Sequence, residues 1–263
     1  MPPNKIAILS TRPLGKGLAE EAAAMDIIIE ALSFIEAEPL RDPVLDKRIR
    51  ELSRESLTAV FTSMNAVDAV TDCLRAQKEE TWPPWKIYCI GTATRQRVEE
   101  YFGEDSIAGT APSAGELADR IIRDANADPA ASAGPDAGAG PGAVAGIRAL
   151  TFFCGDQRRD ELPERLRQAG IGVRELVVYR TRQTPHQLEK GYDGIVFFSP
   201  SAVHSFFSLN KAPAATVLFA IGRTTAEAIR QYSANPTICG VSPEKDALIR
   251  LAMDHFRERI EKQ

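Results

Sequence analysis

The chain has 263 residues, 44% of them hydrophobic and 26% charged, with a net charge of −4 at neutral pH. That length suits two domains of ordinary size better than a single core, and the acidic balance gives no general attraction to nucleic acid or to a membrane surface. No apolar run approaches the roughly 20 residues of a bilayer-spanning helix, and Met1-Pro2-Pro3-Asn4-Lys5 leads into a strand rather than a signal-peptide core, so a cytoplasmic protein is expected.

In chain order, apolar runs at 5–10, 26–32, 57–62, 86–90, 147–154, 172–179, 193–198, 217–221 and 236–239 read as strands. Most are uninterrupted, the pattern of strands buried on both faces. Helical patterns fall between them, near 14–25, 43–54, 64–77, 93–102, 114–124, 159–169, 201–209, 224–233 and 244–261. This alternation predicts an α/β protein whose parallel sheets are wrapped by helices. No G-x-G-x-x-G or G-x-x-x-x-G-K-[ST] motif follows a strand, which removes the usual support for dinucleotide or nucleoside-triphosphate binding. Residues 125–146, rich in Gly, Ala and Pro, have almost no side chain able to offset ordering entropy and are expected to form a mobile surface loop. They fit either a linker between halves or an elongated connection inside one domain. Cys73, Cys89, Cys154 and Cys239 lie far apart with no C-x-x-C pair, and His186, His204 and His255 fall into no metal spacing. Buried thiols are expected, with no metal and no cofactor.

Two halves of the chain echo each other. Phe61-Thr62-Ser63-Met64-Asn65-Ala66-Val67 returns as Phe197-Phe198-Ser199-Pro200-Ser201-Ala202-Val203, and Ile90-Gly91-Thr92-Ala93-Thr94 returns as Ile221-Gly222-Arg223-Thr224-Thr225. A weaker echo links Ile8-Leu9-Ser10-Thr11-Arg12 with Phe152-Phe153-Cys154-Gly155-Asp156. Each segment is a strand running into a small polar turn and then a helix, where parallel α/β sheets carry ligand groups. Two similar half-sites are expected.

Phe61-Thr62-Ser63 with Ala66-Val67, Gly91-Thr92-Ala93-Thr94, Cys154-Gly155, Val178-Tyr179-Arg180-Thr181, Phe198-Ser199-Pro200-Ser201-Ala202-Val203 and Ile221-Gly222-x-Thr224-Thr225-Ala226 resemble, in this order, the motifs of the uroporphyrinogen-III synthase family. The resemblance spans nearly the whole chain apart from the Gly/Ala/Pro stretch and the tail. It implies two flavodoxin-like parallel-sheet domains joined by a two-strand hinge, one domain inserted in the other. Residues 1–34 and 183–263 would form the first and 40–177 the second, with 35–39 and 178–182 as hinge strands. The low-complexity stretch then belongs inside the inserted domain.

The implied activity is that of a cyclising hydro-lyase of heme and other tetrapyrrole biosynthesis. It closes the linear tetrapyrrole hydroxymethylbilane into uroporphyrinogen III with loss of water and inversion of ring D. Uncatalysed closure gives the type I isomer, so the protein must select a geometry more than supply a reagent. The implied partners are the small-molecule substrate and, transiently, the preceding enzyme hydroxymethylbilane synthase, with no nucleic acid, no membrane and a monomeric state.

The resemblance places Tyr179 in the cleft as a candidate to assist departure of the substrate hydroxyl, although a phenol titrates at about 10 in water and is a weak acid at neutral pH. Its alternative role is packing with a wet hydroxyl. Thr62, Ser63, Gly91, Thr92, Ala93, Thr94, Gly155, Ser199, Ser201, Gly222, Thr224 and Thr225 are candidates to hold the substrate, because helix N-termini favour its carboxylates. The competing reading of the hydroxyls is capping alone, at about 1 kcal/mol each. Arg12, Lys16, Arg95, Arg158, Arg159 and Arg223 follow strand ends and are candidate carboxylate contacts, against a default of solvated surface charge. A non-catalytic two-domain protein that binds a tetrapyrrole or another anion is the rival reading. The isomer formed from hydroxymethylbilane separates the two.

Overall fold

The computed structural model describes residues 5–15, 17–76, 83–127, 146–242 and 244–260. Lys16 and most of the low-complexity stretch, residues 128–145, lie outside the described residues. In chain order the strands are β1 (Ile6–Ser10), β2 (Ile27–Ala31), β3 (Ile35–Pro39), β4 (Thr58–Phe61), β5 (Lys86–Ile90), β6 (Ile107–Ala111), β7 (Ala149–Gly155), β8 (Gly172–Gln183), β9 (Gly194–Phe197), β10 (Val217–Ala220) and β11 (Thr237–Cys239). The helices are α1 (Leu18–Ala23), α2 (Pro43–Ser53), α3 (Met64–Ala76), α4 (Gly91–Phe102), α5 (Ala114–Asn126), α6 (Glu161–Gln168), α7 (Pro200–Leu209), α8 (Arg223–Arg230) and α9 (Lys245–Ile260). Every strand and helix expected from periodicity is present. One strand, β6, was not expected: Ile107-Ala108-Gly109-Thr110-Ala111 has a single large apolar residue.

The chain divides into two compact units, Met1–Glu36 with Arg182–Gln263, and Ala37–Thr181. In the first, the sheet runs β11-β10-β9-β1-β2 and its neighbours pair in parallel. Numbered by chain order within the unit, this is 2-1-3-4-5, the flavodoxin-like order. In the second, β8-β7-β4-β5-β6 follows the same order once β7 is counted first, and β3 adds outside β8. The second sheet is therefore a circular permutation of the first. Its correspondences, β4 with β9, β5 with β10 and β7 with β1, are those of the sequence echoes.

Each sheet is buried on both faces. In the first unit, Phe197, Phe206 and Ile229 lie on the α7–α8 side, and Phe219, Met253 and Phe256 on the α1–α9 side. A Cβ on Gly194 would stand 2.7 Å from Phe256 Cε2, so a side chain there would unseat α9. In the second unit, Phe61, Trp85 and Phe153 stack under α2 to α4, with Phe153 5.1 Å from Phe61 and 5.2 Å from Trp85. Phe152, Leu117 and Leu166 fill the α5–α6 side. Cys73, Cys89 and Cys154 are buried as expected, and burial pushes their thiols up to about 12, 11 and 11. Cys239 departs from that expectation: it ends the edge strand β11 and is exposed.

Candidate functional site

Strand order reverses between β1 and β9 in the first unit and between β7 and β4 in the second, and open parallel sheets bind ligands beyond the strand C-termini at such switch points. Because each pair of strands is parallel, the turns after β1, β9 and β10 share one end of one sheet, and those after β4, β5 and β7 share one end of the other.

In the first unit, the turn after β1 is locked by its hydroxyls. Thr11 Oγ1 donates to Val196 O at 2.9 Å, and Ser10 Oγ donates to Arg12 O at 2.7 Å. Arg12 is thereby carried over the Phe198 ring, its guanidinium carbon 5.2 Å from the ring centroid. Arg12 Nη1 is buried and has no hydrogen-bond partner among the described residues. Burial lowers the Arg12 pKa, with the charge of Asp246 acting against that shift. Lys245, at the start of α9, is also lowered, first by desolvation and then by repulsion from Arg12, with Asp246 opposing. Two cations thus share one neighbouring carboxylate, and one buried donor is unsatisfied. A ligand carboxylate would supply both the charge and the acceptor.

Nearby turns of the same unit are built as helix starts. Ser199 Oγ accepts the Ala202 N–H at 3.2 Å and caps α7, with Pro200 in its first turn. Ser201 and Thr225 are buried, whereas Arg223 and Thr224 are exposed at the start of α8. Gly222 is fully extended, a conformation open to any residue.

In the second unit, Ser63, Gly155 and Tyr179 come together. Ser63 Oγ accepts the Ala66 N–H at 3.3 Å in the first turn of α3 and donates its own hydrogen to Tyr179 Oη at 3.2 Å. The phenol is thereby left with its O–H to give. A Cβ on Gly155 would lie 2.7 Å from both Cε2 and Oη of Tyr179, so the ring rests directly on the glycine backbone. Thr62 is half-buried beside Ser63. At the next strand end, Gly91 turns the chain at φ 73, a region that favours glycine, and presents Thr92 and Ala93 to solvent while Thr94 is buried. Thus Gly91 and Gly222, aligned in the sequence echo, serve different backbone conformations.

The remaining arginines are placed differently. Arg95 pairs with Glu104 at 3.6 Å, and Arg159 is exposed. Arg158 is held by Glu175 and lies 3.5 Å from Asp160, so its charge is already matched. Burial would raise the Glu175 pKa, but hydrogen bonds from Arg158 and Arg167 outweigh it and hold the carboxyl below its ordinary value.

The model of the family described as Uroporphyrinogen-III synthase HemD matches residues 16–250. The chain belongs to the uroporphyrinogen-III synthase family. Its fold is similar to that of the crystal structure of a mutant uroporphyrinogen III synthase from Thermus thermophilus, with a TM-score of 0.56 and 14% identity over 98% of this chain and 100% of that one. It is also similar to that of uroporphyrinogen-III synthetase from Helicobacter pylori 26695, with a TM-score of 0.59 and 15% identity over 95% of this chain and 99% of that one. At such identity the likeness speaks for the fold, while family membership rests on the family model.

Two residues of these switch points escaped the sequence reading. Asp156 aligns with Arg12 in the weakest echo and follows Gly155 directly, a signal that was present but carried no chemistry by itself. Lys245 has no local signal, because only the packing of α9 brings it to Arg12.

Proposed function

We propose that this protein closes hydroxymethylbilane into uroporphyrinogen III with loss of water and inversion of ring D. The observation that carries this reading is the family match over residues 16–250. The geometry supports a role for each switch point. Tyr179, with its hydroxyl oxygen already accepting from Ser63, donates its proton to the departing hydroxyl as the C–O bond breaks and the pyrrole nitrogen pushes in its electron pair. Water leaves as the pyrrole N–H proton passes to the phenolate, and the resulting methylene-pyrrolenine is attacked by the substituted α-carbon of ring D. The spiro intermediate then fragments and recloses with that ring inverted.

Arg12 takes a substrate carboxylate with its unpartnered Nη1. Exposed Thr92, Arg223 and Thr224, together with the N–H groups that open α4 and α8, meet further carboxylates. Arg95 and Arg158 contribute less, since both already have acidic partners. No helix among the described residues is long and apolar enough to cross a membrane. The same reading makes the protein a cytoplasmic monomer that receives its unstable substrate from hydroxymethylbilane synthase.

The test supplies freshly made hydroxymethylbilane and separates the uroporphyrinogen isomers after oxidation. Type III product in proportion to enzyme supports the reading. Only type I, at the rate seen without protein, would overturn it in favour of a binding protein.

A further inference from the structure

We propose that Asp156 is the positioning residue for Tyr179, acting with Gly155 as a two-residue clamp at the end of β7. This deepens the functional reading above and rests on it for the importance of Tyr179. The need for a clamp is visible in the β7–β8 ladder. Its register is regular up to Cys154 opposite Val177, then shifts so that Gly155 stands opposite Tyr179. Strand pairing is therefore irregular where the tyrosine must be aimed.

Asp156 restores order on both sides of the ring. Its backbone N–H donates to Tyr179 O at 3.1 Å, and its Oδ1 accepts the Thr181 N–H at 2.9 Å. The side chain stands in for the main-chain acceptor that a continued ladder would have provided. Thr181 is the last residue of the unit along β8, so the carboxylate fastens the strand at its point of exit. Gly155 supplies the other half of the clamp as the floor on which the ring lies, too close to admit a Cβ. The Ser63 hydroxyl then fixes the rotation of the ring at Oη. Backbone, ring and hydroxyl are each held by a different contact, and the phenol has one direction in which to donate. In this account Gly155 serves Tyr179 rather than the substrate, and Asp156 acts without touching the reacting atoms.

The experiment uses the full chain labelled with 3-fluorotyrosine, the Tyr179 resonance being assigned by its loss in Tyr179→Phe. Asp156→Ala and Gly155→Ala are expected to move or broaden that resonance, and Asp156→Asn, which keeps the Oδ1 acceptor, to leave it in place. In parallel, Asp156→Ala should lower kcat by about 10- to 100-fold, the scale of a misplacement of about 1 Å, with KM little changed. Asp156→Asn should restore most of kcat, and Asp156→Ala should have no further effect in a Tyr179→Phe background. An unmoved resonance in both alanine variants, or equal losses for Ala and Asn, or additive losses with Tyr179→Phe, would overturn the clamp. If wild-type protein forms no type III product, the functional reading fails, while the fluorine spectrum still decides the clamp.

Discussion

Replacing Arg12 by Met is expected to separate stability from activity. A buried N–H donor without a partner carries a desolvation cost of about 1–3 kcal/mol, and Arg12 Nη1 is such a donor. Methionine keeps an unbranched stem against Phe198 and gives up the cation–π contact, worth about 0.5–1 kcal/mol at a partly exposed site. Loss of the attraction to Asp246 takes away a little more. The balance is a fold as stable as wild type or more stable by up to about 2 kcal/mol. A lost charged hydrogen bond to a substrate carboxylate works in the other direction, costing about 1.5–3 kcal/mol, or roughly 10- to 150-fold in kcat/KM. Urea denaturation measures the first quantity and steady-state kinetics the second. A variant destabilised by about 2 kcal/mol or more, with unchanged kcat/KM, would refute the reasoning and make Arg12 a structural residue.

The other expectations concern single contacts. Tyr179→Phe should lower kcat by roughly 10- to 1000-fold while costing no more than about 1.5 kcal/mol of stability, since among the described residues the phenol gives the fold one hydrogen bond, that from Ser63; unaltered kcat would assign the ring to packing. Thr225→Val and Thr224→Val should differ. Thr225 is 1% exposed, so its variant should change kcat/KM by less than about threefold, whereas loss of the exposed Thr224 hydroxyl should cost about 10-fold or more. Equal effects would contradict the assignment. Glu175→Gln should destabilise the protein by about 1–3 kcal/mol at neutral pH by breaking charged hydrogen bonds to Arg158 and Arg167. Because the folded-state pKa of Glu175 is lowered, its contribution is full above the unfolded carboxylate pKa and is lost as pH falls through the folded value. The gap between wild type and variant should therefore close in acid; a constant gap from neutral pH downward would deny the ionic origin.

Much of the fold was legible because the echoed turns are built by local chemistry. Phe61-Thr62-Ser63 and Phe197-Phe198-Ser199 each end a buried strand and begin a helix, and the sheets place them at equivalent positions. The permutation was not legible from periodicity, since the order of elements along a chain does not say which strand pairs with which; it was implied only by the echoes combined with the inserted-domain bounds of the family resemblance. Strand β6 was missed for a reason that lies in packing. A Cβ on Gly109 would stand 2.9 Å from Tyr88 Cε1, so the strand is small where the tyrosine ring crosses it. That selection is invisible to hydrophobic periodicity. Among site residues, Arg12 was accessible from its place after a strand, but its unsatisfied Nη1 depends on Phe198 and on α9. The burial of Thr94 and Thr225 follows from which side of the first helical turn meets the sheet. Neither Gly91-Thr92-Ala93-Thr94 nor Gly222-Arg223-Thr224-Thr225 specifies that side by itself.

The claim that ring D is inverted on this protein is tested most directly with hydroxymethylbilane carrying 13C at two carbons, the hydroxymethyl carbon and the substituted α-carbon of ring D. Inversion joins these two atoms, so the product formed with catalytic amounts of protein should show a direct one-bond 13C–13C coupling. Simple closure bonds the hydroxymethyl carbon to the free α-position instead and leaves the labels apart. A product without that coupling, formed no faster than in buffer, would contradict the account.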